Sequence, residues 1–164
     1  MEYVFSMNKS ELRQTILACL QQKRVVAQRS AQRAMESATD DETVPEHKYD
    51  TLALEASYLA HGQAMRVQEC EQEIEQFKQL SLVEASEYIR LGCAVLLLDL
   101  DDNPLWFFIA PCCGGLKIPF ADSFVMLVTF DSPLGAALKG KQVGDEVSYR
   151  IGERNHCYQI ETIC

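Results

Sequence analysis

The reading of the fold turns on Asp131-Ser132-Pro133-Leu134-Gly135-Ala136-Ala137-Leu138-Lys139-Gly140-Lys141-Gln142-Val143-Gly144-Asp145-Glu146-Val147. Ser132 is a helix N-cap residue, Pro133 suits the first helical position, and Gly140 suits the residue just past the end. These signals predict one short helix over Leu134–Lys139. Val143-Gly144-Asp145 then marks a turn into a strand, Val147–Ile151. A helix this short, followed at once by a strand, belongs to a sheet domain rather than to a bundle.

Working outward, the whole segment Ser81–Cys164 has that texture, with seven glycines and four prolines between β-branched and aromatic runs. Further strands are expected at Ile89–Leu100, Leu105–Ala110, Phe124–Phe130 and Tyr158–Ile163. Turn signals separate them at Asp101-Asp102-Asn103-Pro104, Cys113-Gly114-Gly115 and Gly152-Glu153-Arg154-Asn155. Trp106, Phe107, Phe108, Phe120, Phe124 and Phe130 read as core rather than as a base-stacking platform.

The segment Asn8–Leu80 differs: its only glycine is Gly62 and its only proline is Pro45. Leu12, Ile16, Cys19, Val26 and Ser30 follow heptad-like spacing on a first helix, roughly Lys9 to Ala38. Leu52, Ala56, Leu59, Gln63, Cys70, Ile74 and Phe77 do so on a second. Asn8 with Glu11, and Thr43 with Glu46, have capping-box spacing. A loop at Thr39–Val44 between the helices predicts an antiparallel coiled-coil hairpin. Leu12 with Phe77, Cys19 with Cys70, Val26 with Gln63 and Ser30 with Leu59 share an index sum of 89, centred on that loop. The first helix would be about 45 Å long at 1.5 Å per residue. The chain thus divides near Leu80–Ser86 into a finger, residues 8–80, and a sheet domain, residues 81–164.

Composition narrows the function. The 164 residues carry Asp+Glu 24 against Lys+Arg 15, a net charge of −9, which argues against binding nucleic acid through the overall field. Apolar runs such as Cys93–Leu98 are far short of the ~20 residues of a membrane helix. The opening stretch carries Glu2 and no basic cluster, unlike a secretory signal. Seven cysteines without a CxxC motif suit a reducing, cytoplasmic setting rather than a disulfide framework or zinc ribbon.

The expected fingertip holds Asp40, Asp41, Glu42 and Glu46. Clustered carboxylates suit a hard cation such as Mg²⁺, while Glu46 also suits a plain helix cap. Behind them, Arg24, Arg29 and Arg33 form a basic stripe that can meet RNA phosphates or pair with glutamates on the hairpin exterior. His47, His61 and His156 lack metal-ligand spacing. Cys112-Cys113-Gly114-Gly115 is a candidate thiol loop.

The stretch Asp131–Val147 resembles the C-terminal signature of the Gre factors, bacterial transcription elongation factors. Cys157–Ile163 is similar to their closing strand, and the acid-tipped hairpin precedes both in the same order. The resemblance covers roughly Asn8 to Cys164 and is that of a divergent branch. It implies an α+β chain with an N-terminal antiparallel coiled-coil hairpin, then a small FKBP-like antiparallel sheet domain with a short helix. It further implies docking on RNA polymerase through Asp131, Ser132, Pro133 and Leu134. The hairpin would enter the secondary channel and set Asp41, Glu42 and Glu46 beside the polymerase's Mg²⁺, so that the polymerase cleaves backtracked RNA. On this view the chain is an accessory factor, a monomer with no cofactor of its own and no membrane partner, meeting nascent RNA indirectly. The tip departs from the family pattern: Glu42, Glu46 and Tyr49 echo it, but His47-Lys48 replaces Asn-Ala-Glu and Pro45 is unusual. Alternatives are a non-cleaving regulator in the same channel and an FKBP-like isomerase or chaperone.

Overall fold

A computed structural model describes residues 7–39 and 50–164. The elements are α1 (Lys9–Thr39), α2 (Asp50–Gln79), β1 (Ala94–Leu98), β2 (Pro104–Ile109), β3 (Lys117–Phe120), β4 (Ser123–Val128), α3 (Pro133–Leu138), β5 (Glu146–Ile151) and β6 (Arg154–Ile163). Two long helices followed by a sheet with one short helix is the expected α+β order. No helix among the described residues is long and apolar enough to cross a membrane. The chain forms two compact units, one of residues up to Ile16 with Gln76–Cys164, the other Leu17–Glu75.

In the second unit α1 and α2 run antiparallel. Lys23 Nζ meets Glu73 and Arg24 Nη1 meets Glu71, both at 3.2 Å. These pairs have index sums of 96 and 95, not 89. The shielded positions explain the shift. On α1 they include Leu20, Arg24, Ala27, Ala31, Ala34 and Ala38; on α2, Ala53, Ala56, Ala60, Gln63, Val67, Cys70 and Ile74. Both series keep alternating steps of three and four. Arg24 with Cys70, Ala27 with Val67 and Ala34 with Ala60 each sum to 94. The seam expected from heptad spacing is corrected at three places. Val26, Leu52 and Leu59 are 53%, 55% and 57% exposed. Small side chains let two helices approach closely, so alanines take the interface and the bulky residues are turned out. The exposed ion pairs, worth about 0.2–1 kcal/mol each, follow this register rather than set it.

The first unit is built on a six-stranded sheet in the order β3-β4-β2-β1-β6-β5. Neighbours are antiparallel except β2 and β4, which run parallel with Phe107 opposite Met126. β1 is apolar throughout because both faces are covered: Ala94, Val95, Leu96 and Leu97 are at most 1% exposed. Val95 and Leu97 pack in a cluster with Phe107, Ile109, Val147 and Ile160, together with Leu134 and Leu138 of α3. The helical ends belonging to this unit bury Leu12, Ile16 and Phe77 completely. Asn8 Oδ1 accepts from the Glu11 amide at 3.1 Å, as its capping position predicts.

The strands differ most from expectation at the start of β1, at β3 and at the start of β6. The segment before β1 is a turn, because Ile89 exchanges backbone hydrogen bonds with Gly140 and Lys141 beyond α3. Gly92 there has φ +88° and approaches the Ser81 carbonyl too closely for a Cβ. β3 was not expected, since Pro119 interrupts its pattern; it is an edge strand, where proline is tolerated. β6 starts at Arg154, because Gly152-Glu153 alone closes a two-residue hairpin. Between β1 and β2, the Asp99 carboxylate accepts from the Asp101 and Asn103 amides and from Asn103 Nδ2, which holds its pKa below the usual carboxylate value.

Lys9 is the one charged side chain buried among the described residues, 8% exposed, and its Nζ has no hydrogen-bond partner. Burial lowers its pKa from 10.5, while Cys164, Cys93 and Glu84 partly restore it. The unfolded chain therefore binds more protons between the lowered value and 10.5, so this group's penalty on stability is full below the lowered value and relieved as pH rises toward 10.5. Lys9→Met should raise Tm at pH 7, and its advantage over the wild type should shrink as pH approaches 10.5. A pH-independent difference contradicts this. The register of the helix pair has its own test in urea unfolding. Ala34→Leu should cost about 1–3 kcal/mol by overpacking, whereas Leu59→Ala should stay within about 0.5 kcal/mol.

Candidate functional site

The residues expected to meet a partner in the sheet domain form one turn. Ser132 sits in extended conformation at the N-cap of α3, with φ −79° and ψ 156°. Its Oγ accepts from the Gly135 amide at 3.0 Å and donates to the Thr129 carbonyl at 2.7 Å. The Ser132 amide donates to the same carbonyl at 3.1 Å. Pro133 follows at the first helical position, where its missing N–H costs nothing.

The four residues therefore present different surfaces. Asp131 and Pro133 are exposed. Ser132 is half-buried with its hydroxyl committed to the turn. Leu134 is 8% exposed and belongs to the core cluster, so its side chain holds α3 on the sheet. The turn thus offers a carboxylate and a proline ring on a rigid mount. Phe130 flanks it, with Lys139 Nζ 5.2 Å from the ring centroid.

Two contributors escaped the sequence reading. One is Thr129, whose carbonyl is the turn's double acceptor. The other is Gly135, where a Cβ would lie 1.8 Å from the Thr129 oxygen. Glycine inside a helix is costly, so Gly135 within a predicted six-residue helix was the available signal. The Thr129 carbonyl carried none, because every residue has one.

On the helix pair, Arg24 is held by Glu71 at 3.2 Å, the ion-pair role open to it from sequence. Arg29 and Arg33 are exposed on α1. Asp41, Glu42 and Glu46 lie outside the described residues, as do Thr43 and the expected loop beyond Thr39. Among the described residues no group of three or more His, Cys, Asp or Glu is placed to hold a metal ion.

Solved structures to which the chain is similar include the following three. GreA factor homolog 1 (Gfh1) of Thermus thermophilus is 25% identical, with 94% of this chain and 93% of that chain covered and a TM-score of 0.38. A structure of the transcription factor Gfh1 is 24% identical, covering 93% and 91%, with a TM-score of 0.40. Gfh1 of Thermus aquaticus is 21% identical, covering 89% of each chain, with a TM-score of 0.37. No protein-family model and no curated protein matches the sequence.

The turn can be tested by its packing. Gly135→Ala drives a methyl into the Thr129 carbonyl and should lower stability by about 1–3 kcal/mol. Ser132→Ala removes the cap and should cost about 1 kcal/mol. Asp131→Ala, at an exposed position, should leave Tm nearly unchanged. Equal Tm for all three variants contradicts this account of the turn.

Proposed function

We propose that the protein is a Gre-type factor that binds RNA polymerase through the turn at Asp131 and Pro133 and presents its helix pair to the polymerase's catalytic centre. The observation that carries this reading is the Gre-like stretch Asp131–Val147. It forms one folded piece, a capped helix and the entry to β5, with the Asp131 carboxylate in solvent. The antiparallel helix pair is a second support. It shields a row of alanines, with Ala34 buried and the others half-buried, and exposes Leu52, Leu54, Tyr58, Leu59 and Met65, each by half or more. A helix pair that works in water alone has little use for such a surface, and one that lodges against another protein does.

In this reading the protein has no active site of its own. Asp41, Glu42 and Glu46 are hard oxygen donors and fit Mg²⁺ chemically, as ligands completing a shell that the polymerase begins. Bound there, the ion would polarise a phosphate oxygen and lower the pKa of a water for hydrolysis of backtracked RNA. The carboxylates of this chain bind and orient; leaving-group and substrate contacts belong to the polymerase. Arg29 and Arg33, exposed on α1, face the phosphates of the transcript in this arrangement, while Arg24 stays with Glu71. The setting is the cytoplasm and the factor acts as a monomer.

His47-Lys48 and Pro45, where the Gre pattern has other residues, favour a second reading in which the factor fills the channel without promoting cleavage. One assay separates the two. A stalled, backtracked elongation complex is incubated with wild type or with Asp41→Ala/Glu42→Ala/Glu46→Ala, and RNA length and polymerase binding are followed. The expected result is shortened RNA with wild type only, equal binding by both, and a stability difference within about 1 kcal/mol from the lost cap. Inhibited elongation without cleavage supports the second reading. Equal cleavage by both proteins removes the tip from the mechanism. RNA degradation without polymerase contradicts both readings.

A further inference from the structure

The loop between β2 and β3 holds two adjacent cysteines, Cys112 and Cys113, whose sulfurs are 3.7 Å apart. Neighbouring side chains on an extended chain point to opposite faces. Here Cys113 has φ +60°, in the left-handed region that L-residues seldom adopt, and the turn brings both sulfurs to one side. Both residues are half-buried, within reach of a small reagent. Two thiols this close meet with only a local adjustment of the loop.

We propose that Cys112 and Cys113 form a reversible modification site that a small hydroperoxide oxidises to a disulfide between neighbours. One thiolate attacks a peroxide oxygen; the O–O bond breaks, water leaves after protonation, and a sulfenic acid forms. The second thiol attacks the sulfenic sulfur, the S–S bond forms, and a second water leaves. Two thiols lose two electrons and two protons, and one hydrogen peroxide becomes two waters. Across a trans peptide the Cα atoms are about 3.8 Å apart, below the usual disulfide range of about 4.4–6.8 Å. The ring is therefore strained and readily reopened by a thiol reductant. This makes it a switch rather than a staple.

The loop lies beside Thr129, where the turn described above begins. A Cβ on Gly114 would lie 3.3 Å from the Thr129 side chain, and the Gly115 amide donates to the Leu127 carbonyl at 2.7 Å. Closing the ring reshapes Pro111–Gly115 and presses on Thr129, whose carbonyl holds Ser132. The proposal does not depend on polymerase binding.

The test uses the full chain, treated with stoichiometric hydrogen peroxide, alkylated, cut with trypsin and weighed. The peptide Leu91–Lys117 contains Cys93, Cys112 and Cys113. After oxidation it should lack two hydrogens and carry one alkyl group, on Cys93. Prior treatment with dithiothreitol should restore three alkyl groups. Cys93→Ser should keep the loss of two hydrogens, and Cys112→Ser or Cys113→Ser should abolish it. Hydrogen exchange on the oxidised protein should show faster exchange at the Gly135 amide than on the reduced one. Three alkylated cysteines after oxidation, or a bond mapped to Cys93, overturns the proposal. Unchanged exchange at Gly135 overturns the link to the turn.

Discussion

The contact between Gly135 and the Thr129 carbonyl fixes the surface of the sheet domain. A carbonyl that accepts from both the amide and the hydroxyl of Ser132 leaves the chain one path into α3. That path passes so close to the carbonyl oxygen that only glycine fits. From this follow the buried setting of Leu134 and Leu138 on the sheet, the exposure of Asp131 and Pro133, and the position of Gly140, which bonds back to Ile89. The exposed turn is thus an outcome of packing, and its rigidity comes from backbone groups that no substitution at Asp131 disturbs.

Much of this was legible in the sequence because the signals are local. Ser132-Pro133 and Gly140 announce a capped helix, and Asn8 with Glu11 announces the start of α1. The consecutive apolar residues of β1 announce a strand covered on both faces. Long-range choices were less legible. Heptad spacing puts Val26, Leu52 and Leu59 in the helix seam, yet the interface took Ala27, Ala31, Ala34 and Ala60. Periodicity fixes a stripe on each helix, but which of two adjacent stripes is buried depends on how closely the backbones approach. β3 was hidden by Pro119, whose effect depends on whether a strand is central or at an edge. The parallel pairing of β2 with β4 has no local signal at all.

The same distinction applies to function. The turn at 131–135 was legible as a capped turn because its capping chemistry is carried by named side chains, Ser132 and Pro133. Its supporting carbonyl was not, since a backbone acceptor has no residue identity. The stripe of arginines was ambiguous by nature. Arg24 lies in the seam and pairs with Glu71, whereas Arg29 and Arg33 are on the exposed surface, and spacing alone does not separate those cases. The outward leucines and Tyr58 look like mistakes in a solitary helix pair. On the proposed reading they are contact surface.

Photocrosslinking tests the central claim most directly. A benzoylphenylalanine in place of Leu59, exposed on α2, is carried into a backtracked elongation complex, illuminated, and its attachment site mapped. Insertion of the helix pair predicts crosslinks to polymerase segments that line the route to the catalytic centre, weakened when Asp131→Ala loosens docking. A factor that binds polymerase yet crosslinks only to its outer surface contradicts the account, as does one that does not bind polymerase at all.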